Sequence, residues 1–190
     1  MSITELKEIE NALNTLMRYV LAGGAAVLAF GIIRPSHFRF LCSDGEHQAV
    51  SATLALLFVL VSGATVYLLH RALLFPFVFR CLLFGIIKRR KLAHTEKTLD
   101  AALAEKRLEY RKSNDHKGFH FGRWAAEVHA LYGICLGSLI PFFVPLASDR
   151  QFSQYAVTVL IAAIFIFVAA LRHHWRELID EIEVAGIIQK

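Results

Sequence analysis

His116 and His120 stand four residues apart, the interval at which two imidazoles on one helical turn can share a metal ion. Gly118 lies between them, and no cysteine or carboxylate cluster completes a set of ligands. The surrounding KSNDHKGFHFG, with Asn, Asp and two glycines, reads as an aromatic loop that interrupts a helix. His173 and His174 are adjacent, so a helix sends them to different faces, and contact with lipid headgroups at a helix end is their expected role. Glu127 and His129 are two apart and do not share a face either. Arg123 and Glu127, four apart, have the spacing of a surface ion pair worth about 0.2–0.5 kcal/mol.

Other reactive constellations are missing from the sequence. There is no phosphate-cradling GxxxxGK[ST], no GxSxG elbow and no HExxH. Arg and His recur at short intervals, as in Arg89/His94, Arg111/His116 and Arg123/His129, but a chain this rich in both produces such spacings by chance. Cys42, Cys81 and Cys135 lie far apart without a CxxC, so neither a disulfide framework nor a thiolate metal site is expected. The expectation is a protein that is not an enzyme, with no catalytic set, no metal and no cofactor.

The elements that carry these residues are apolar. Of 190 residues 56% are hydrophobic and 19% charged, and the charges gather between long apolar runs. Ala49–Leu69 and Gln151–Leu171 contain no charged side chain, the pattern of membrane-spanning helices. Four spans are expected, at 19–33, 49–69, 125–146 and 155–171, in an all-α polytopic membrane protein that forms one domain. Residues 1–18 read as an amphipathic helix, which Ser2 and Glu5 would cap. Residues 172–190 read as an acidic helix, and 88–123 as a basic helix from Leu92 to Lys112 followed by the aromatic loop. The stripes Ile3, Leu6, Ile9, Leu13, Leu16 and Trp175, Leu178, Ile179, Ile182, Ala185 are expected to pack as extensions of the bundle.

Residues 72–87 are the ambiguous piece. A fifth span of this length reaches about 24 Å, short of the roughly 30 Å hydrocarbon core. It would bury Arg80 at mid-membrane, at about 2.5–3.5 kcal/mol, and would contain Pro76. Counting cations does not decide. With four spans only Arg34, Arg39 and Arg150 of the 21 Lys and Arg lie outside; with five, Lys7, Arg18, Arg71 and Arg150 do. Length, charge and proline favour an elbow that continues the second span, bends at Pro76 and rests at the inner leaflet. Both termini are then cytosolic, in what is expected to be a bacterial plasma membrane.

Three sets of residues are candidates for function. His70, Arg71 and Arg80 are the main ionisable groups at ambiguous depth, and so mark a pathway or a lipid contact. Lys88, Arg89, Arg90 and Lys91 form a basic patch suited to anionic headgroups or a soluble cytosolic partner, and nucleic acid is not expected. His116, Phe119, His120, Phe121 and Arg123 form the partner-facing loop. Small residues at helical spacing, namely Ala126, Ala130, Gly133 and Gly137, then Ala156, Ala163 and Ala170, make a packing face or an interface between copies. Pro141 and Pro145 should kink or stop the third span.

Two functions follow from this reading. One is a small homo-oligomeric membrane protein acting as a pore or as a membrane-state sensor. The other is a non-conducting anchor for a soluble partner. Small four-span subunits of bacterial anti-phage systems are similar to it in size and topology only.

Overall fold

The computed structural model describes residues 3–35, 48–112, 116–143 and 154–187, with side chains at 9, 12–35, 50–109, 125–143 and 154–187. The chain is all-α: α1 (Ile3–Ile33), α2 (Gln48–Leu69), a π-turn (His70–Leu74), α3 (Phe75–Arg90), α4 (Glu96–Lys112), α5 (His116–Phe143) and α6 (Ala156–Val184). Four stretches are long and apolar enough to cross a membrane: Ala12–Ile33, Val50–Arg90, Ala125–Phe143 and Ala156–Val184. The expected capping box at Ser2, Cys42, the cations Arg39 and Arg150, and Pro145 lie outside the described residues.

Side-chain size is sorted inside out, as lipid requires. Along α6 the alanines spaced seven apart face the bundle, with Ala163 at 1% and Ala170 at 0% exposure, while Phe165 and Val157 are 71% and 65% exposed. Water would favour the reverse; hydrocarbon does not distinguish large apolar groups from itself, so close backbone approach directs the packing. Gly23 of α1 and Gly63 of α2 cross reciprocally. A Cβ on Gly23 would lie 1.8 Å from the Val59 carbonyl oxygen, and one on Gly63 would lie 1.9 Å from that of Tyr19. A Cβ on Gly137 of α5 would lie 2.3 Å from the Ala22 carbonyl oxygen of α1, and Gly133 faces the Ala22 methyl. The stripe of Gly133, Gly137, Ala156, Ala163 and Ala170 is thus buried within the chain and does not form an exposed face for a second copy. Ala126 is buried too, and Ala130 is half-buried.

Successive spans run antiparallel, and this fixes two ends. At one, Ala29, Ile33 and Ala156 share a small core with Phe142 and Val159. Buried Arg34 there donates from Nε to the Pro141 carbonyl at 3.3 Å. The Pro141 carbonyl lies in the last turn of α5, where carbonyls have no intrahelical donor, so the arginine supplies one. The kink proline therefore lies inside α5, which ends at Phe143.

Beyond the other end, α3, α4 and the second half of α6 form a three-helix cap. Its core is Phe79, Leu83 and Ile86 from α3, Leu99 and Leu103 from α4, and Leu178 and Ile182 from α6. Arg107 of α4 donates through Nε and Nη2 to both carboxylate oxygens of Glu181, at 2.5 and 2.7 Å, and covers the Phe79 ring at 5.7 Å. One guanidinium thus joins all three helices.

Several expectations are corrected here. The expected elbow does continue the second span: Val50–Arg90 is one unbroken helical stretch of 41 residues, and its irregularity is the π-turn at His70–Leu74. At 1.5 Å per residue it measures about 60 Å, twice the hydrocarbon thickness, and its distal half builds the cap. Pro76 lacks an N–H, and its ring crowds the carbonyl four residues back. The helix relieves this upstream, where the Phe75 N–H bonds the His70 carbonyl in an i→i−5 turn. Helix α4 starts at Glu96, not Leu92, because Lys91 takes the left-handed conformation (φ 51°) that closes α3. Thr95 then caps α4, its Oγ1 accepting from the Thr98 N–H at 3.3 Å.

The aromatic loop is also corrected. Helix α5 already begins at His116, so the backbone carrying Phe119, His120, Phe121 and Arg123 is helical, and the side chains of those residues lie outside the described set. Gly118 and Gly122 each cost about 1 kcal/mol in a helix, but extending an existing helix gains a hydrogen bond per residue. The amphipathic segment 3–18 is continuous with the first span. Of its apolar stripe, Ile9, Leu13 and Leu16 are exposed, and the side chains of Ile3 and Leu6 lie outside the described set.

Candidate functional site

Where the spans meet the cap, four helices deliver polar side chains to one buried cluster. His70 opens the π-turn and is 0% exposed; His129 and Tyr132 come from α5, and His174 from α6. His70 Nε2 and His129 Nδ1 are 2.7 Å apart, and Arg71 Nη1 lies 3.1 Å from His129 Nε2. The Tyr132 hydroxyl is 3.3 Å from His174 Nδ1. Arg18 of α1 reaches the Tyr67 hydroxyl at 3.3 Å on the neighbouring face of α2.

Chemistry fixes the protons in this chain. A guanidinium only donates, so His129 Nε2 accepts from Arg71. The proton of a neutral His129 then sits on Nδ1 and is donated to His70 Nε2. The proton of a neutral His70 is left on Nδ1, which is buried without a hydrogen-bond partner among the described residues. Another proton has no free acceptor: on His129 it breaks the Arg71 bond, and on His70 it sets two N–H groups face to face. The network holds one proton arrangement, and the excess donor is already inside.

Rings close the cluster. Phe75, the first residue past the π-turn, lies 4.5 Å from the His129 ring and 5.4 Å from the His174 ring, nearly parallel to the latter. Arg71 covers its face at 5.6 Å, and His70 stacks on Tyr132 at 5.3 Å. Any change in the imidazole geometry therefore bears on the residue that begins α3. Arg71 is itself exposed, so the hydrogen-bond chain runs from the surface of the protein to the buried pair.

A second constellation lies on the opposite flank of α5 and α6. His173 Nε2 is 3.4 Å from a Glu127 carboxylate oxygen and 3.0 Å from one of Glu177. Glu127 is exposed, and the other two are half-buried.

The sequence candidates divide accordingly. His70 and Arg71 are in the cluster; Arg80 is nine residues on and exposed on the cap. Lys88, Arg89 and Lys91 are exposed at the end of α3, and Arg90 lies 3.5 Å from Glu183. His129, Tyr132 and His174 were not expected here, and His174 is corrected from a headgroup contact to a core residue. Their signal was present in the small-residue stripes. His129 lies three after Ala126 and four before Gly133, and His174 lies four after Ala170, so each sits on a face already identified as buried.

No family model, curated protein or solved structure matches this chain. The functional reading therefore rests on geometry alone.

Proposed function

We propose that this protein is a membrane-embedded sensor in which protonation of the His70–His129 pair moves the three-helix cap relative to the spans. The observation that carries this reading is the Arg71–His129–His70 chain at a π-turn, ending in a buried N–H without a partner among the described residues. Imidazole is the side chain whose charge changes nearest neutrality, and π-turns recur where helices must deform for function. A further proton would gather positive charge beside Arg71 and Arg18, in a site that also faces Tyr67, Tyr132 and His174. Opening the cluster relieves this, and Phe75 carries the movement into α3.

A pore through one chain is less well supported. Among the described residues the buried imidazoles gather at one end of the spans, and the other end is filled by Ala29, Ile33, Ala156 and their apolar neighbours. With Lys and Arg concentrated on the side of the cap, the reading takes both termini and the cap as cytosolic. The exposed Lys88, Arg89 and Lys91 are then the output surface, for anionic headgroups or a soluble partner. That same surface favours the anchor as the second reading.

Hydrogen exchange in nanodiscs separates a switch from a rigid anchor. Between about pH 8 and about pH 4, a window that spans the ordinary imidazole range and extends well below it, amides around the π-turn and the start of α3 should lose protection after correction for intrinsic rates. His70→Gln/His129→Gln, whose amides hydrogen-bond without titrating, should not respond. Equal protection at both pH values in the wild type, or an equal response in the variant, contradicts the proposal.

A further inference from the structure

The Glu127–His173–Glu177 group has a geometry that an ordinary ion pair does not need. One ring nitrogen faces two carboxylates from different helices, at 3.4 and 3.0 Å, and the three ligand atoms lie within 4.8 Å of one another. A single imidazole N–H can be well aligned with only one of those oxygens. Tetrahedral bonds of about 2.0–2.1 Å set ligand atoms about 3.3–3.4 Å apart; the Glu127 contact has that length, and the Glu177 contact is a few tenths of an ångström shorter. His173 and Glu177 are one turn apart on α6, and Glu127 completes the set across the gap to α5. Asp180 and Glu181 follow on α6 and add to the negative field at the site.

We propose that Glu127, His173 and Glu177 bind a divalent first-row transition-metal ion. The ligands are Nε2 of His173 and one carboxylate oxygen from each glutamate, with water completing a four-coordinate sphere. The donor set suits this class: imidazole with two carboxylates is harder than the thiolate sites of structural zinc, and borderline ions accept both donor types. The ion replaces two converging negative charges and one bridging proton with three bonds, and it clamps α5 to α6. His129 lies two residues from Glu127 and His174 is adjacent to His173, so the clamp lies directly behind the imidazole cluster. The site itself stands on its own geometry, whether or not that cluster acts as a switch.

The test uses tag-free full-length protein in nanodiscs, titrated with Co2+ and with Zn2+. One Co2+ per chain should give the intense visible d–d absorption of a four-coordinate site, and Zn2+ should displace it. Glu127→Gln, His173→Gln and Glu177→Gln should each weaken binding by at least the roughly 10–100-fold that loss of an outer-shell partner costs. All three positions are partly exposed, so metal-free thermal stability should barely change, which separates lost binding from lost folding. A His116→Ala/His120→Ala variant should bind as the wild type does. Absence of a stoichiometric Co2+ spectrum, binding unchanged in all three single variants, or loss of binding in the His116/His120 variant overturns the site.

Discussion

Arg107→Ala is expected to destabilise the protein by about 2–3 kcal/mol, chiefly by leaving Glu181 buried and charged without its partner. Fully buried pairs lose about 3–5 kcal/mol when one member is removed, and the side chain of Arg107 is 37% exposed against 10% for Glu181, which lowers the figure. The loss includes the contact with Phe79, so α3, α4 and α6 loosen together. Replacing both partners by apolar residues of similar volume, as in Arg107→Met/Glu181→Leu, should recover most of the stability, because the uncompensated charge is the main cost. The measurement is thermal or denaturant unfolding of the detergent-solubilised protein across the full double-mutant cycle. Simple addition of the two single effects would show that the bidentate bond contributes little to the cap.

The second large effect is expected at the crossing of α1 and α2. Gly23→Ala introduces a methyl 1.8 Å from the Val59 carbonyl oxygen, and neither backbone can yield without separating the helices. Overpacking of this kind costs about 1–3 kcal/mol, and reciprocal contact at Gly63 places this crossing toward the upper value. Gly24, the next residue, has open space where its Cβ would stand. Gly24→Ala should be neutral or stabilising by about 0.5–1 kcal/mol, since alanine favours the helix. The pair differs by one position, so unfolding of the two variants side by side isolates packing from propensity. Equal behaviour would mean that the two helices do not cross at Gly23.

Much of this architecture was legible from residue order. Charge-free runs located the spans, and alanine and glycine at helical spacing marked the faces now found buried, because lipid leaves backbone approach as the main packing force. Sequence reasoning failed where distant residues meet. Nothing local shows that His70 lies against His129, 59 residues away, or that Arg107 finds Glu181, 74 residues away. The π-turn was missed for a related reason. Pro76 was read as a bend at its own position, whereas the helix absorbs the missing N–H one turn earlier, where His70 and Arg71 stand. His116–Arg123 read as a loop because two glycines outweighed the neighbouring span, and growth of a helix from a formed segment reversed that balance.

The most direct test of the sensor is the distance between the spans and the cap as the imidazoles titrate. Spin labels at Met17 on α1 and Arg89 on α3, both exposed, report it in a variant with Cys42, Cys81 and Cys135 replaced. In nanodiscs at about pH 8 a single distance population is expected, and a second should grow in toward about pH 4. His70→Gln/His129→Gln should hold the first population throughout. One unchanged distribution across the whole range in the protein with both histidines intact would contradict the account.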